Sequence, residues 1–128
     1  MKATDLMIGD KVMVKVLSQI PNTYVLHTWT ANDYSRDIQV KPIPLTAEIL
    51  EKDGWERDID KEWEYNNSHI LPHYCYQWEK RNVKIEMYAG LEGFTISLII
   101  GRRFYAVHEL QHVLRLYGLD ELADNFKI

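Results

Sequence analysis

After a turn at Gly9-Asp10, valines occupy every second position, at Val12, Val14 and Val16, as in a strand with one buried face. The segments NTYVLHTWT (22–30) and RDIQVKPI (36–43) read as two more strands, separated by the polar turn ANDYS. Three short strands of this kind predict a small curled sheet or open barrel in the N-terminal part. Pro42 and Pro44 cannot donate to a ladder, so they end the third strand. A helix of about two turns is predicted next, in LTAEILEKDG. Thr46 supplies an N-cap hydroxyl, and Leu45 can staple onto Leu50. Glu48 suits the positive end of the helix dipole, and Gly54 is a C-terminal stop.

From Trp55 the texture returns to strand. IDKEWEY (59–65) alternates weakly, and NNSHILP (66–72) reads as a loop. HYCYQWEK (73–80) puts Tyr74, Tyr76 and Trp78 on one strand face and His73, Cys75 and Gln77 on the other. NVKIEMY (82–88) gathers Val83, Ile85 and Met87, and after the turn AGLEG, FTISLII gathers Phe94, Ile96, Leu98 and Ile100. Short turns between these runs predict an antiparallel meander. Val107, Leu110, Val113, Leu114 and Tyr117 then recur at helical spacing, which predicts a helix over 107–117 with these residues as its buried stripe. His108 and His112, beside Gln111 and Arg115, fall opposite the stripe and are expected to face water. Gly118 and a last helical turn through Phe126 close the chain. The fold class is α+β: antiparallel strands with one short central helix and a C-terminal helix. No repeat, linker or low-complexity tract divides residues 1–128, so a single domain is expected.

Composition narrows the function classes. The chain is 46% hydrophobic and 27% charged, enough apolar mass for a core. No run approaches the roughly 18 apolar residues of a membrane helix. The start, MKATDLMIGD, lacks a signal-peptide apolar region, so a cytoplasmic location is expected. The single cysteine, Cys75, excludes an internal disulfide and suits a reducing compartment. A net charge of −4, with basic residues scattered along the sequence, disfavours nucleic acid as a general partner.

Three stretches resemble a known family: IGDKV (8–12), PIPLTAEILEKDGW (42–55) and VHELQHVLRLYGL (107–119). They look like the Ile-Gly-Asp start, the Pro-Ile-Pro-Leu-Thr helix and the Val-His-x-Leu-Gln C-terminal helix of small uncharacterised proteins of Bacteroidetes and their phages. The resemblance implies a phage or mobile-element context and no particular activity. It also bears on one motif, because many relatives carry Gln and Asn where this chain has Glu109 and His112.

That motif is HELQH (108–112), an H-E-x-x-H pattern. In a zinc hydrolase His108 and His112 would be ligands one helical turn apart and Glu109 the general base. A third ligand would come from Cys75, His73 or His69, since only a short segment follows His112. The expected outward face of the helix argues for a solvated surface, with no metal and no cofactor. Cys75 and His73 share a strand face as a nucleophile pair would, but the reading preferred for Cys75 is a lone buried structural thiol. Asp58, Asp60, Glu62 and Glu64 alternate as a charged edge strand would. Fifteen residues are Phe, Trp or Tyr, eight of them Tyr, a composition suited to interfaces and flat ligands. Tyr74, Tyr76 and Trp78 are candidates to stack a base, with Arg81, Arg102 and Arg103 to hold phosphates.

The expectation is a non-enzymatic binding or interaction protein that acts by stoichiometric capture, of a host protein or a small anionic ligand. Capture of a nucleotide immune signal, as an anti-defence measure, is one concrete form. A zinc-dependent hydrolase built on HELQH and a structural or assembly module are the alternatives. A homo-oligomer without membrane contact is expected in either binding role.

Overall fold

The alternating valines form the central strand of a sheet. The computed structural model describes residue 2 and residues 5–17, 23–60, 74–80, 83–90, 93–95 and 103–128. β1 (Lys11–Val16) lies between β2 (Val25–Thr28) and β3 (Ile38–Lys41), antiparallel to both. Val14 stands opposite Val25 on one side and Val40 on the other. Because successive side chains alternate across a sheet, Val12 and Val14 point into a core with Leu6 and Trp29, and Ile38 and Val40 pack against it. The other face carries Lys11, Met13 and Lys15 half-buried, with Leu26, Gln39 and Lys41 exposed. A 3-10 turn, Ala31–Ser35, joins β2 to β3. The predicted three-stranded sheet is therefore present, with its strands near the expected positions.

The chain divides into two compact units. The first takes Met1–Leu45 and Ala106–Phe126, and the second takes Thr46–Tyr105 with Lys127–Ile128. In the first unit, a bridge between Pro44 and Ala106 and the bond from Val107 N to Ile43 O (2.9 Å) bring in the C-terminal helices. These are α2 (Val107–Leu116) and α3 (Asp120–Asp124).

The second unit begins with α1 (Ala47–Asp53), whose signals all act locally. Thr46 Oγ1 accepts from Ile49 N at 3.2 Å, satisfying one of the helix's orphan donors. Gly54 ends the helix with φ at 108°, a left-handed conformation that a Cβ would strain, and its N–H returns to Leu50 O. Trp55 follows, buried, with Nε1 donating to Asp53 Oδ2 at 3.0 Å. The other Asp53 oxygen accepts from Lys127 N at 2.7 Å.

β4 (Glu56–Arg57), β5 (Tyr74–Lys80), β6 (Val83–Gly90) and β7 (Gly93–Thr95) make the predicted antiparallel meander, in that spatial order. Met87, Tyr88 and Ala89 are all buried, so β6 is covered on both faces over this stretch. Trp55 and Trp78 meet at 5.7 Å between ring centroids. The alternation in IDKEWEY does not form a strand at its start, since residues 59–60 are helical, and the rest of it lies outside the described residues. Of FTISLII only Phe94 and Thr95 are described. Phe94 exchanges both backbone bonds with Phe104 at 2.9 Å. The fold is α+β with two antiparallel sheets. Among the described residues no helix is long and apolar enough to cross a membrane.

The Thr46 cap is separable from the core, because its residue is exposed. Thr46→Ala is expected to lower unfolding free energy by about 1 kcal/mol, read as a shift in urea midpoint at constant m-value.

Candidate functional site

Turn residues Met7 to Asp10 close on themselves. Asp10 N donates to Met7 O at 3.1 Å, and Met7 N donates to Asp10 Oδ2 at 2.8 Å. Gly9 takes φ of 95°, and a Cβ there would lie 2.7 Å from Asp124 Oδ1 and 3.0 Å from Arg115 Nη2. Glycine is favoured here by the backbone angle, and a Cβ would in addition displace the ends of the Asp124 and Arg115 side chains. The turn continues the β1–β2 ladder, since Gly9 N donates to Trp29 O and Trp29 N donates to Asp10 O, both at 2.8 Å. This pairing aims the Asp10 carboxylate away from the sheet and onto helix α2.

Asp10 is fully buried, and a buried carboxylate persists only with charge and hydrogen bonds supplied to it. His112 Nε2 stands 2.5 Å from Oδ2, and Arg115 Nη1 donates to Oδ1 at 2.6 Å. Arg115 Nη2 reaches on to Asp124 Oδ1 at 3.1 Å. Burial pushes the Asp10 carboxyl up, but the bonds from His112, Arg115 and Met7 outweigh it and hold the group below its ordinary range. The same contacts raise Arg115 against the effect of its own burial. An ionised carboxylate only accepts, so His112 presents Nε2–H to it.

Gln111, on the same helix, is also fully buried and serves the backbone around this turn. Its Oε1 accepts from Lys11 N at 2.8 Å, and its Nε2 donates to Gly9 O at 3.0 Å and to Ala123 O at 2.9 Å. One side chain therefore ties the turn, the start of β1 and α3 to α2. His108 completes the stripe at 8% exposure, its ring edge-on to His112 with centroids 5.6 Å apart. His108 Nδ1 is buried without a hydrogen-bond partner, and burial pushes the imidazole below its usual pKa, so it sits neutral.

This overturns the expected orientation of the helix. His108 and Gln111 are buried, and the half-buried His112 and Arg115 turn their polar ends onto Asp10, so this face packs against the Gly9-Asp10 turn instead of lying open to solvent. The apolar stripe is correct at Val107, Leu110 and Leu114, all fully buried. It fails at Tyr117, which is 61% exposed, because the helix ends at Leu116 and Tyr117 no longer follows its period.

The H-E-x-x-H groups are engaged accordingly. Glu109 Oε1 accepts from Ala106 N at 3.1 Å, capping its own helix where Ala106 has no side-chain acceptor. His112 Nε2 is held by Asp10, so ligating a cation through that nitrogen would require breaking a charge-assisted bond. Among the described residues, no three His, Cys, Asp or Glu side chains are grouped to hold a metal ion. Cys75, offered above as a third ligand, is buried in the second unit, while both histidines belong to the first. His73 and His69 lie outside the described residues.

A second carboxylate is built in the same way. Asp33, in the 3-10 turn, is 2% exposed. Its Oδ2 stands 2.6 Å from His27 Nε2 and accepts from Thr30 N (2.7 Å) and Thr30 Oγ1 (2.9 Å), while Oδ1 accepts from Arg36 Nη1 at 3.0 Å. Burial opposes ionisation, and these bonds, His27's foremost, carry the group well below the ordinary carboxylate range. Trp29 packs edge-on to both His27 and Tyr34 beside it.

The aromatic and arginine set expected to hold a nucleotide is only partly described. Tyr76 is 2% exposed, which leaves its ring no face for a ligand arriving from water. Tyr74 is exposed, with the Arg57 guanidinium 4.7 Å from its ring centroid. Trp78 is half-buried against Trp55, Arg103 is exposed, and Arg81 and Arg102 lie outside the described residues. Of the acidic alternation, Asp58 N donates to Cys75 O at 2.9 Å and Asp60 is exposed, while Glu62 and Glu64 are not among the described residues. No protein-family model, curated protein or solved structure matches the chain.

Asp10→Asn leaves Arg115 without its buried counter-charge and is expected to cost on the order of 3 kcal/mol by urea unfolding. His108 sets the pH response on the mildly acidic side. Its folded pKa lies below the ordinary histidine value of about 6.5, so the unfolded chain takes the proton first and stability falls as pH drops through that value. Asp10 and Asp33, both lowered, add losses only as pH falls below about 3.8. Urea midpoints at pH 7.5 and 5.5 test this: wild type is expected to weaken on acidification and His108→Leu to weaken much less. Equal slopes for the two proteins would place the response elsewhere.

Proposed function

We propose that the protein is a non-enzymatic binding module that works by stoichiometric capture. The observation that supports this most is the engagement of the HELQH side chains by the fold itself. Glu109 Oε1 caps its own helix and His112 Nε2 holds Asp10, so the general base and one of the two ligands of a zinc hydrolase would each have to give up a bond the fold uses. A capture protein needs no such groups; it needs complementary surface and enough copies, because occupancy follows mass action. The resemblance to small phage and mobile-element proteins supplies the setting: a protein made in quantity to occupy a component of its host.

Zinc content decides between capture and the hydrolase reading. Protein purified without chelator is expected to carry less than about a tenth of an equivalent of zinc by elemental analysis. A full equivalent, lost together with folding or activity on chelation, would return the motif to catalysis.

A further inference from the structure

We propose that the outer face of the β1–β2–β3 sheet binds single-stranded nucleic acid, a proposal that rests on the capture reading and gives it a site. Lys11 and Lys15 flank Met13 on β1, and the register puts Lys41 directly opposite Met13 on one side and Leu26 on the other. Three cations therefore share one face, although along the sequence they look scattered. Tyr24 lies just before β2, and both Lys15 Nζ and Lys41 Nζ approach its ring, at 5.1 and 4.3 Å from the centroid. Lys11 Nζ donates to Thr28 Oγ1 at 2.7 Å. Among the described residues no carboxylate pairs with any of the three, whereas Arg36 and Arg115 are both paired. Asp37 precedes β3 at the far end of the face and is exposed.

In a chain of net charge −4, three uncompensated ammonium groups on one face are a local reversal of sign. Two of them lie against a single ring, which holds both on this face by cation–π attraction. Each ammonium has three donors, so the contacts described leave donors for a ligand.

The shape of the face selects among anions. Lys11 and Lys15 are four residues apart on one strand, roughly 13 Å, and Lys41 is one strand over opposite Met13, so about 8 Å from each. A mononucleotide, with its charge at one end, does not span this. A strand of phosphates does, and drawing Lys15 and Lys41 onto phosphates would free the Tyr24 ring for stacking, which a duplex, with its base faces hidden, cannot use. An acidic peptide would favour a sheet edge, where backbone groups can pair, over a face that presents only side chains.

Fluorescence anisotropy with a labelled oligothymidylate of about 12 nucleotides, at about 50 mM salt and up to about 100 µM full-length protein, tests the proposal. Binding is expected, with log K falling against log salt at a slope near −2 for about three phosphate contacts on a single strand. Lys15→Glu with Lys41→Glu should weaken binding at least about tenfold and flatten the slope, while Tyr24→Leu should weaken it severalfold at unchanged slope. Lys52→Glu, an exposed change in the second unit, should do neither. Thermal melts accompany each variant, and the Lys15→Gln, Lys41→Gln pair replaces the charge reversal if that protein does not fold. Absence of binding by wild type, or binding indifferent to the face variants, overturns the proposal. Equal competition by duplex or by polyglutamate overturns the single-strand assignment. A denaturing gel of the recovered oligonucleotide separates the two claims: cleavage would sink the capture reading, whereas an unbound, intact probe sinks only this site.

Discussion

A fully buried carboxylate at position 10 organises the first unit. Removed from water, the Asp10 charge is tolerable only while it is paired and its oxygens are bonded, and its partners come from its own turn and from α2. Those partners dictate the rest. Arg115 must lie over the turn, which sets the rotation of α2 and brings Asp124 of α3 within reach. Gln111 must be buried beside it, because Gly9 O and Lys11 N would otherwise lose their bonds. The network is a specification device more than a source of net stability, since burying charges costs about as much as pairing them returns. What it secures is one rotation of the helix and one placement of the turn.

The elements that could be read from sequence are those whose determinants are local. α1 is written in Thr46 and Gly54, whose hydrogen bond and left-handed angle act within a few residues. The three-stranded sheet follows from alternation, which one buried face enforces along each strand. The rotation of α2 was not legible, because a helical wheel assigns burial from apolar residues and does not know that a turn a hundred positions earlier will cover a second face. A signal did exist: His108, Gln111, His112 and Arg115 include no lysine and no acid, unlike an ordinary solvated stripe. Glu109 was misleading for a similar reason. Its place in a catalytic pattern is also the third position after an N-cap that has no acceptor of its own.

The two sides of the first sheet divide the labour. The inner side holds Val12, Val14 and Trp29 against Leu6 in an apolar cluster. The outer side carries Lys11, Lys15 and Lys41 around Met13 and Leu26, a pattern invisible to net charge because it arises from register. The H-E-x-x-H spelling drew attention to the C-terminal helix, yet its side chains face inward and work for the fold. The proposed recognition surface is therefore the outer face of the sheet, not the helix that carries the motif.

The bond between Asp10 and Arg115 joins positions 105 residues apart. During synthesis the turn and its sheet leave the ribosome long before the helix that neutralises them. Until that helix emerges, the Asp10 carboxylate has neither Arg115 nor His112 to pair with, so the first unit cannot close with that charge both buried and bonded. Contacts of such large sequence separation are the kind that topology makes slow to form.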